Sequence, residues 1–238
     1  MGSLRETIRQ VKPCVVCVLI AQGNTIIGKA SGFVCGSRGL IATCNHVVSG
    51  ALGTARVLVK MPAHVAPLRA DVTLSDPERD IAILQVERKD LAYMELGSYE
   101  DVAEGDLVAF CGYPLALSIP TTHVGIVSAK GKGIIPGLSL EVLQIDASIN
   151  SGNSGCPLFL PENGLVVGVV NAKYGSISQA LKSIAEMKEP SGGVVIMGLD
   201  FVPTMKALVR DMERNLQLGI GYAISADYLK AALQQVWG

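Results

Sequence analysis

The apolar stretches of this chain are short, and turn residues close nearly all of them. That punctuation constrains the fold more than any other feature of the sequence. Residues 14–21 form one run, ended by a Gly23-Asn24 turn, and residues 26–35 form a second. Gly28 and Gly32 interrupt the second run where a barrel strand would need to bend. Gly36-Ser37-Arg38-Gly39 leads to a run at 40–44, and further runs at 55–60, 63–74 and 81–86 are spaced by Pro62, Pro67 and Pro77. From Leu96-Gly97 the rhythm repeats, with runs at 107–111, 121–129, 140–145, 157–160 and 165–172. About six short strands in each half predict an all-β chain of two six-stranded antiparallel β-barrels. The expected boundaries are 14–95 for the first barrel and 96–225 for the second, in a single unit.

Three stretches depart from that rhythm. Ser3-Leu4-Arg5-Glu6 is a capping box, and Leu4, Ile8 and Val11 follow on one face until Pro13 ends a short N-terminal helix. Tyr228, Leu229, Ala232, Leu233 and Val236 predict a C-terminal helix over 226–238. Between residues 175 and 218, two helical patterns flank a strand-like run at 193–199. The first comprises Ile177, Ala180, Leu181, Ile184 and Met187; the second comprises Met205, Leu208, Val209, Met212 and Leu216. The segment reads as a helical insertion in the second half, either a packing elaboration or a lid over a substrate site.

With 238 residues, 49% of them hydrophobic, the chain can bury a large core. Twenty basic and 21 acidic residues are spread along it without a basic block, which argues against a nucleic-acid partner. No run approaches the roughly 20 apolar residues of a membrane span. No early segment has the form of a signal peptide, so the expected location is the cytoplasm, or another compartment for a chain trimmed of its targeting segment. Six cysteines lie mostly inside apolar runs. Cys14-x-x-Cys17 would place its thiols on opposite faces of a strand, and no second Cys/His pair completes a metal site. Cys35 and Cys44 are close enough in sequence to pair across a hairpin, a possibility the sequence leaves open.

One loop is organised differently from all the others. Residues 150–155 read Asn-Ser-Gly-Asn-Ser-Gly between apolar segments, a composition that suits a tight turn and not a buried strand. Such a loop can deliver the Ser154 hydroxyl and free backbone N–H groups into a cleft. A serine that attacks an acyl carbon needs a base, a carboxylate to orient that base, and N–H donors for the oxyanion. There are three histidines. His64 reads as a loop or strand edge and His123 as part of a strand, whereas His46 follows a strand and precedes a polar turn. Asp80 adjoins the apolar run 81–86, while Asp76, Glu78 and Arg79 read as a solvated turn; Asp146 competes with Asp80 for the orienting role. Each residue alone reads at least as well as a structural one. Only the set points to chemistry.

As a set these residues resemble the chymotrypsin-fold serine peptidases, and the HtrA/DegP group in particular. The resemblance rests on six segments in order. They are Ser31-Gly32-Phe33-Val34, Thr43-Cys44-Asn45-His46-Val47-Val48, Asp80-Ile81-Ala82-Ile83-Leu84, Gly112-Tyr113-Pro114, Asn150 through Gly155, and Gly219 through Ser225. It implies two chymotrypsin-like barrels and a serine endopeptidase that needs neither metal nor cofactor. It assigns His46 as general base and acid, Asp80 as its orienting partner and Ser154 as nucleophile. It places the oxyanion hole at the N–H groups of Gly152 and Ser154, with Asn153 adjacent. The substrate pocket falls at Ser148, Ile149, Asn171, Ala172 and Lys173. Trypsin-like pockets that select Lys or Arg carry an acid where this chain has Ser148, so the expected preference is for small or aliphatic residues. The expected partner is an unfolded or flexible polypeptide, and trimer formation is implied by resemblance alone.

Two departures from the family pattern frame the alternatives. Cys156 stands where the family usually has a second glycine after the serine, and it reads as local packing or as a redox-sensitive thiol. The insertion lies where the family has a short specificity loop. Together they motivate a second reading, a protease-fold peptide-binding or chaperone-like module whose triad is misaligned. A polyprotein-processing protease would share the chemistry and differ in substrate.

Overall fold

A computed structural model describes residues 3–51, 53, 55–62, 64, 66–114, 117–135, 137–172, 195–196, 199–215 and 219–237. Its strands form two closed antiparallel barrels. The first contains β1 (Val15–Gln22), β2 (Thr25–Gly36), β3 (Leu40–Cys44), β4 (Arg56–Lys60), β5 (Leu68–Asp76) and β6 (Ile81–Val86), in the order β1-β2-β3-β6-β5-β4. The second contains β7 (Leu107–Gly112), β8 (Thr121–Lys132), β9 (Glu141–Ile145), β10 (Pro157–Phe159), β11 (Val166–Val170) and β14 (Gly221–Ser225). Its order, β7-β8-β9-β14-β11-β10, is that of the first barrel repeated. The expected all-β pair of barrels is present.

Three apolar layers hold these barrels. Val16, Val18, Ile20, Val34, Ile41 and Leu84 fill the first barrel, and Val108, Phe110, Leu143, Ile145 and Leu158 fill the second. A third layer lies between them, built from Val15, Cys17, Phe33 and Ile83 on one side and Ala109, Phe159 and Val169 on the other. Strand β1 therefore buries both faces, Val15 and Cys17 toward the partner barrel and Val16, Val18 and Ile20 inward. That is why its sequence is a continuous apolar run and not an alternation.

The N-terminal helix Leu4–Val11 begins with the expected capping box, in which the Ser3 hydroxyl accepts from the Glu6 N–H and the Glu6 carboxylate accepts from the Ser3 N–H. The C-terminal helix Ala226–Trp237 packs Leu229 and Ala232 onto the layer between the barrels. Of the insertion, the described residues form a two-stranded pair, β12 (Val195–Ile196) with β13 (Leu199–Asp200), and the helix Phe201–Asn215. The helical pattern from Ile177 to Met187 and residue Lys173 lie outside the described residues.

All six cysteines are free and buried. Cys35 Sγ donates to the Leu40 carbonyl and Cys44 Sγ to that of Val170, so they do not pair across the hairpin. Cys14 sits in a 3-10 turn ahead of β1, where strand alternation does not apply, and it shares the inter-barrel layer with Cys17. The two thiols lie on one side, contrary to the expectation of opposite faces.

Candidate active site

The site lies where the ends of paired strands from one barrel meet a loop of the other. Strand β3 pairs with β6 so that Cys44 lies opposite Ile81. The residues just outside that pair, Asn45 and Asp80, are joined by an Asn45 N–H to Asp80 carbonyl bond of 3.0 Å. After Cys44 the chain makes a single helical turn, Asn45–Val48, which swings His46 over Asp80. Asp80 has φ 53°, the only left-handed value among described non-glycine residues. Aspartate tolerates that conformation better than most side chains. It is fixed here by a turn in which the Asp76 carboxylate accepts from the Arg79 N–H and guanidinium at 2.9 and 2.8 Å.

The Asp80 carboxylate is buried and fully engaged. One oxygen accepts from the His46 backbone N–H and the other from His46 Nδ1, each at 2.7 Å. The second oxygen also accepts from Asn171 Nδ2 at 2.7 Å. Burial pushes this carboxyl's pKa up, but the hydrogen bonds and charge of His46 and the amide of Asn171 outweigh burial, and the pKa falls below the usual aspartate value. With Nδ1–H given to the carboxylate, Nε2 is left as an acceptor, 3.0 Å from Ser154 Oγ. Ser154 Oγ also accepts from the Ala172 N–H at 3.3 Å. The structure thus brings His46, Asp80 and Ser154 into one series.

The loop around Ser154 is held from several directions. Gly152 and Gly155 have φ 96° and 87°, in the region open to glycine. A side chain at Gly155 would place its β carbon 2.3 Å from both the Ser31 carbonyl and Thr43 Oγ1, so only glycine fits. Gly155 N–H donates to the Val170 carbonyl at 2.8 Å, and Asn153 N–H to that of Asn150 at 3.0 Å. Among the described residues, the N–H groups of Gly152 and Ser154 have no backbone acceptor. The Asn153 side chain is buried and, among the described residues, neither end of its amide has a hydrogen-bond partner.

Of the remaining candidates, Ile149 packs its Cδ1 against Gly221, where an added β carbon would come within 2.3 Å. Ser148, the residue before it, and Ala172 are half-buried, and Asn171 is buried and faces Asp80. Asp146 is exposed. His123 stacks on Phe110 with centroids 4.9 Å apart, and burial lowers its pKa. Cys156 is completely buried, and burial, with the nearby Cys111 and Cys44, raises its thiol pKa well above the ordinary value, which disfavours a reactive thiolate. Cys44, His46 and Asp80 hold ligand-type atoms within 4.8 Å of one another. Those atoms are already engaged, Nδ1 with the carboxylate and Sγ with the Val170 carbonyl.

Two contacts carry no separable sequence signal. The Asn171 amide on Asp80 joins residues 91 apart, and Ser31 reaches Gly152 across 121. Ser31 stands in one of the segments that carry the family resemblance, but nothing in that segment points to Gly152.

Known proteins place these observations in a family. A family model for the trypsin-like peptidase domain matches residues 30–169, more than half of the chain. A probable periplasmic serine endoprotease, DegP-like, of Bartonella henselae is 40% identical over 149 residues, 62% of this chain and 28% of that protein. A protein of the same description from Pseudomonas fluorescens is 32% identical over 206 residues, 87% of this chain and 38% of that one. The chain therefore spans well under half the length of these relatives. An HtrA-type protease, AlgW, solved with a tripeptide superposes with a TM-score of 0.69 at 23% identity, over 99% of this chain and 64% of that one. A serine endoprotease from Yersinia pestis gives 0.67 at 23% identity, over 99% and 67%. At that identity the structures speak for the fold.

The relatives also overturn the expected cytoplasmic location, since they are named periplasmic. That expectation rested on the form of the first residues, of which Leu4–Val11 fold as a capped helix. By the match over residues 30–169 and the barrels that carry it, this chain belongs to the trypsin-like peptidase domain family, with DegP-like endoproteases among its relatives.

Proposed function

We propose that Ser154, His46 and Asp80 form the catalytic triad of a serine endopeptidase. The observation that carries this is the unbroken series from Ser154 Oγ to His46 Nε2 at 3.0 Å and from His46 Nδ1 to Asp80 at 2.7 Å. In the proposed reaction Ser154 Oγ attacks the acyl carbon while its proton passes to Nε2. Asp80 holds the tautomer and stabilises the imidazolium. The N–H groups of Gly152 and Ser154 receive the negative oxygen, since neither has a backbone acceptor among the described residues. His46 then returns the proton to the leaving amine as the C–N bond breaks. A water repeats the sequence against the acyl-enzyme and frees Ser154.

The substrate class is an unfolded or flexible polypeptide, cut after small or aliphatic residues, and the compartment is the periplasm by likeness to the relatives. Ile149 fills the space beside Gly221, which would narrow a pocket formed there, and Ser148 offers a hydroxyl where a cationic side chain would need a carboxylate. The short separations within the triad favour an enzyme over the peptide-binding module, which requires those residues to be apart.

Fluorophosphonate labelling beside casein digestion tests the proposal, comparing wild type with Ser154→Ala. Both activities should vanish in the variant. Wild-type protein that neither labels nor digests would point to the binding module. A peptide library cleaved mainly after Lys or Arg would sink the specificity.

A further inference from the structure

Ser31 belongs to the first barrel, yet its polar groups are directed at the nucleophile loop of the second. It sits on β2 opposite Cys17 and is completely buried. Its N–H donates to the Ser154 carbonyl at 3.0 Å, and its hydroxyl donates to the Gly152 carbonyl at 2.6 Å. The same hydroxyl accepts from the Tyr113 N–H at 2.8 Å, and the Ser31 carbonyl accepts from Thr43 Oγ1 at 2.8 Å. Four hydrogen bonds thus meet at one side chain and its own peptide groups.

A buried strand residue that only filled space would carry no hydroxyl, because an unpaired one costs about 1–3 kcal/mol. Here the hydroxyl is satisfied as donor and as acceptor, which fixes its direction. It holds the carbonyl of Gly152, and the backbone N–H holds the carbonyl of Ser154. The N–H groups of both residues have no backbone acceptor among the described residues. Gly152 has φ 96°, and a glycine rotates more freely than any other residue, so its N–H direction is the part of the loop that most needs an external restraint. The 2.6 Å bond supplies one from the C-terminal side: it pins the Gly152–Asn153 peptide, and with it the α carbon from which the Ser151–Gly152 peptide and its N–H extend. Turning the Gly152–Asn153 peptide would strand the Ser31 hydroxyl in a dry interior.

We infer that Ser31 is a positioning residue that sets the oxyanion-binding geometry of the Gly152–Ser154 loop from the opposite barrel. The inference rests on the triad and oxyanion assignment proposed above. It acts through Gly152 and does not itself touch the substrate. Its signature is therefore a loss in kcat with little change in KM, because the restraint matters where charge develops and not where the peptide docks.

The test measures kcat and KM on one peptide substrate for wild type, Ser31→Ala, Ser31→Cys and Ser154→Ala. Cysteine keeps the shape at a slightly larger volume and replaces a strong donor with a weak one, so it covers the case in which Ser31→Ala does not fold. Folding is checked by thermal melting, and the bell-shaped pH profile of kcat/KM reports on the His46–Asp80 pair. Expected is a fall in kcat of about tenfold or more in each folded Ser31 variant, less than the roughly 100- to 1,000-fold cost of deleting an oxyanion donor outright. KM should stay within about twofold and the acid limb of the profile should not move. A folded variant with wild-type kcat overturns the inference, as does a loss that appears in KM instead. Activity surviving in Ser154→Ala would instead overturn the triad reading, so the two failures are distinct.

Discussion

At the scale of single residues the site is a balance between burial and hydrogen bonding on Asp80. Burial favours the protonated acid, and the donors from His46 and Asn171 reverse that preference. The folded pKa therefore lies below the unfolded value of about 3.9. A depressed pKa contributes stability that is fully present above the unfolded value and is lost as pH falls through the folded one. Urea unfolding of wild type against Asp80→Asn should then show a stability gap that is flat from neutral pH down to about 5. It should narrow only below about 4. A gap already closing near pH 6 would mean that the carboxylate is not held as described. The same variant should lose on the order of 10⁴-fold in kcat, because an amide facing Nδ1 no longer fixes the tautomer that leaves Nε2 free to accept. A loss under about tenfold, measured on active-site-titrated protein, would remove Asp80 from the mechanism. How much of this was visible in the sequence differs by residue. His46 and Ser154 stood in short motifs whose local composition already implied a presented side chain. Asn171 was placed in the substrate pocket, whereas its amide faces the carboxylate, a contact that depends on the register of β11 against the other barrel. Periodicity carries no information about that register.

At the scale of elements, the loop after Asn150 is a turn built to be held and not to hold itself. Its glycines adopt left-handed backbone, and its carbonyls are tied to Ser31 and its Gly155 N–H to Val170. Gly155→Ala should therefore fail twice, by strain at φ 87° and by collision with Ser31 and Thr43. The expected cost is about 2 kcal/mol or more. Denaturant unfolding checks it, and a loss below about 0.5 kcal/mol would show that the loop can relax away. Strand elements were legible because turn residues bracket them, and β1 was legible as a strand although it buries both faces. The Cys14–Cys17 geometry was not, because the strand begins one residue later than the apolar run does. The helix over Phe201–Asn215 contains Met205, Leu208, Val209 and Met212 of the second helical pattern, with Pro203 in its first turn, and Leu216 lies outside the described residues.

At the scale of the molecule, the proposed triad is divided between the two barrels. His46 and Asp80 come from the first barrel, Ser154 and Asn171 from the second, and the apolar layer between the barrels sets their separation. Damage to that layer should consequently differ from damage inside a barrel, even at equal cost in stability. Phe159 is fully buried in the shared layer, whereas Ile20 lies in the interior of the first barrel. Phe159→Ala should cost about 3–5 kcal/mol and Ile20→Ala about 2–5 kcal/mol. The two can therefore be compared at matched urea concentrations, where the folded fractions are the same. Activity per folded molecule should fall between about tenfold and a hundredfold in Phe159→Ala, because a shift of the barrels near 1 Å carries the nucleophile off its base. In Ile20→Ala it should stay within about twofold of wild type, since the docking surface is untouched. Equal losses in the two variants would mean that the triad geometry is held by the loop contacts of Ser31 and Thr43 alone. The layer between the barrels would then matter for stability and not for alignment.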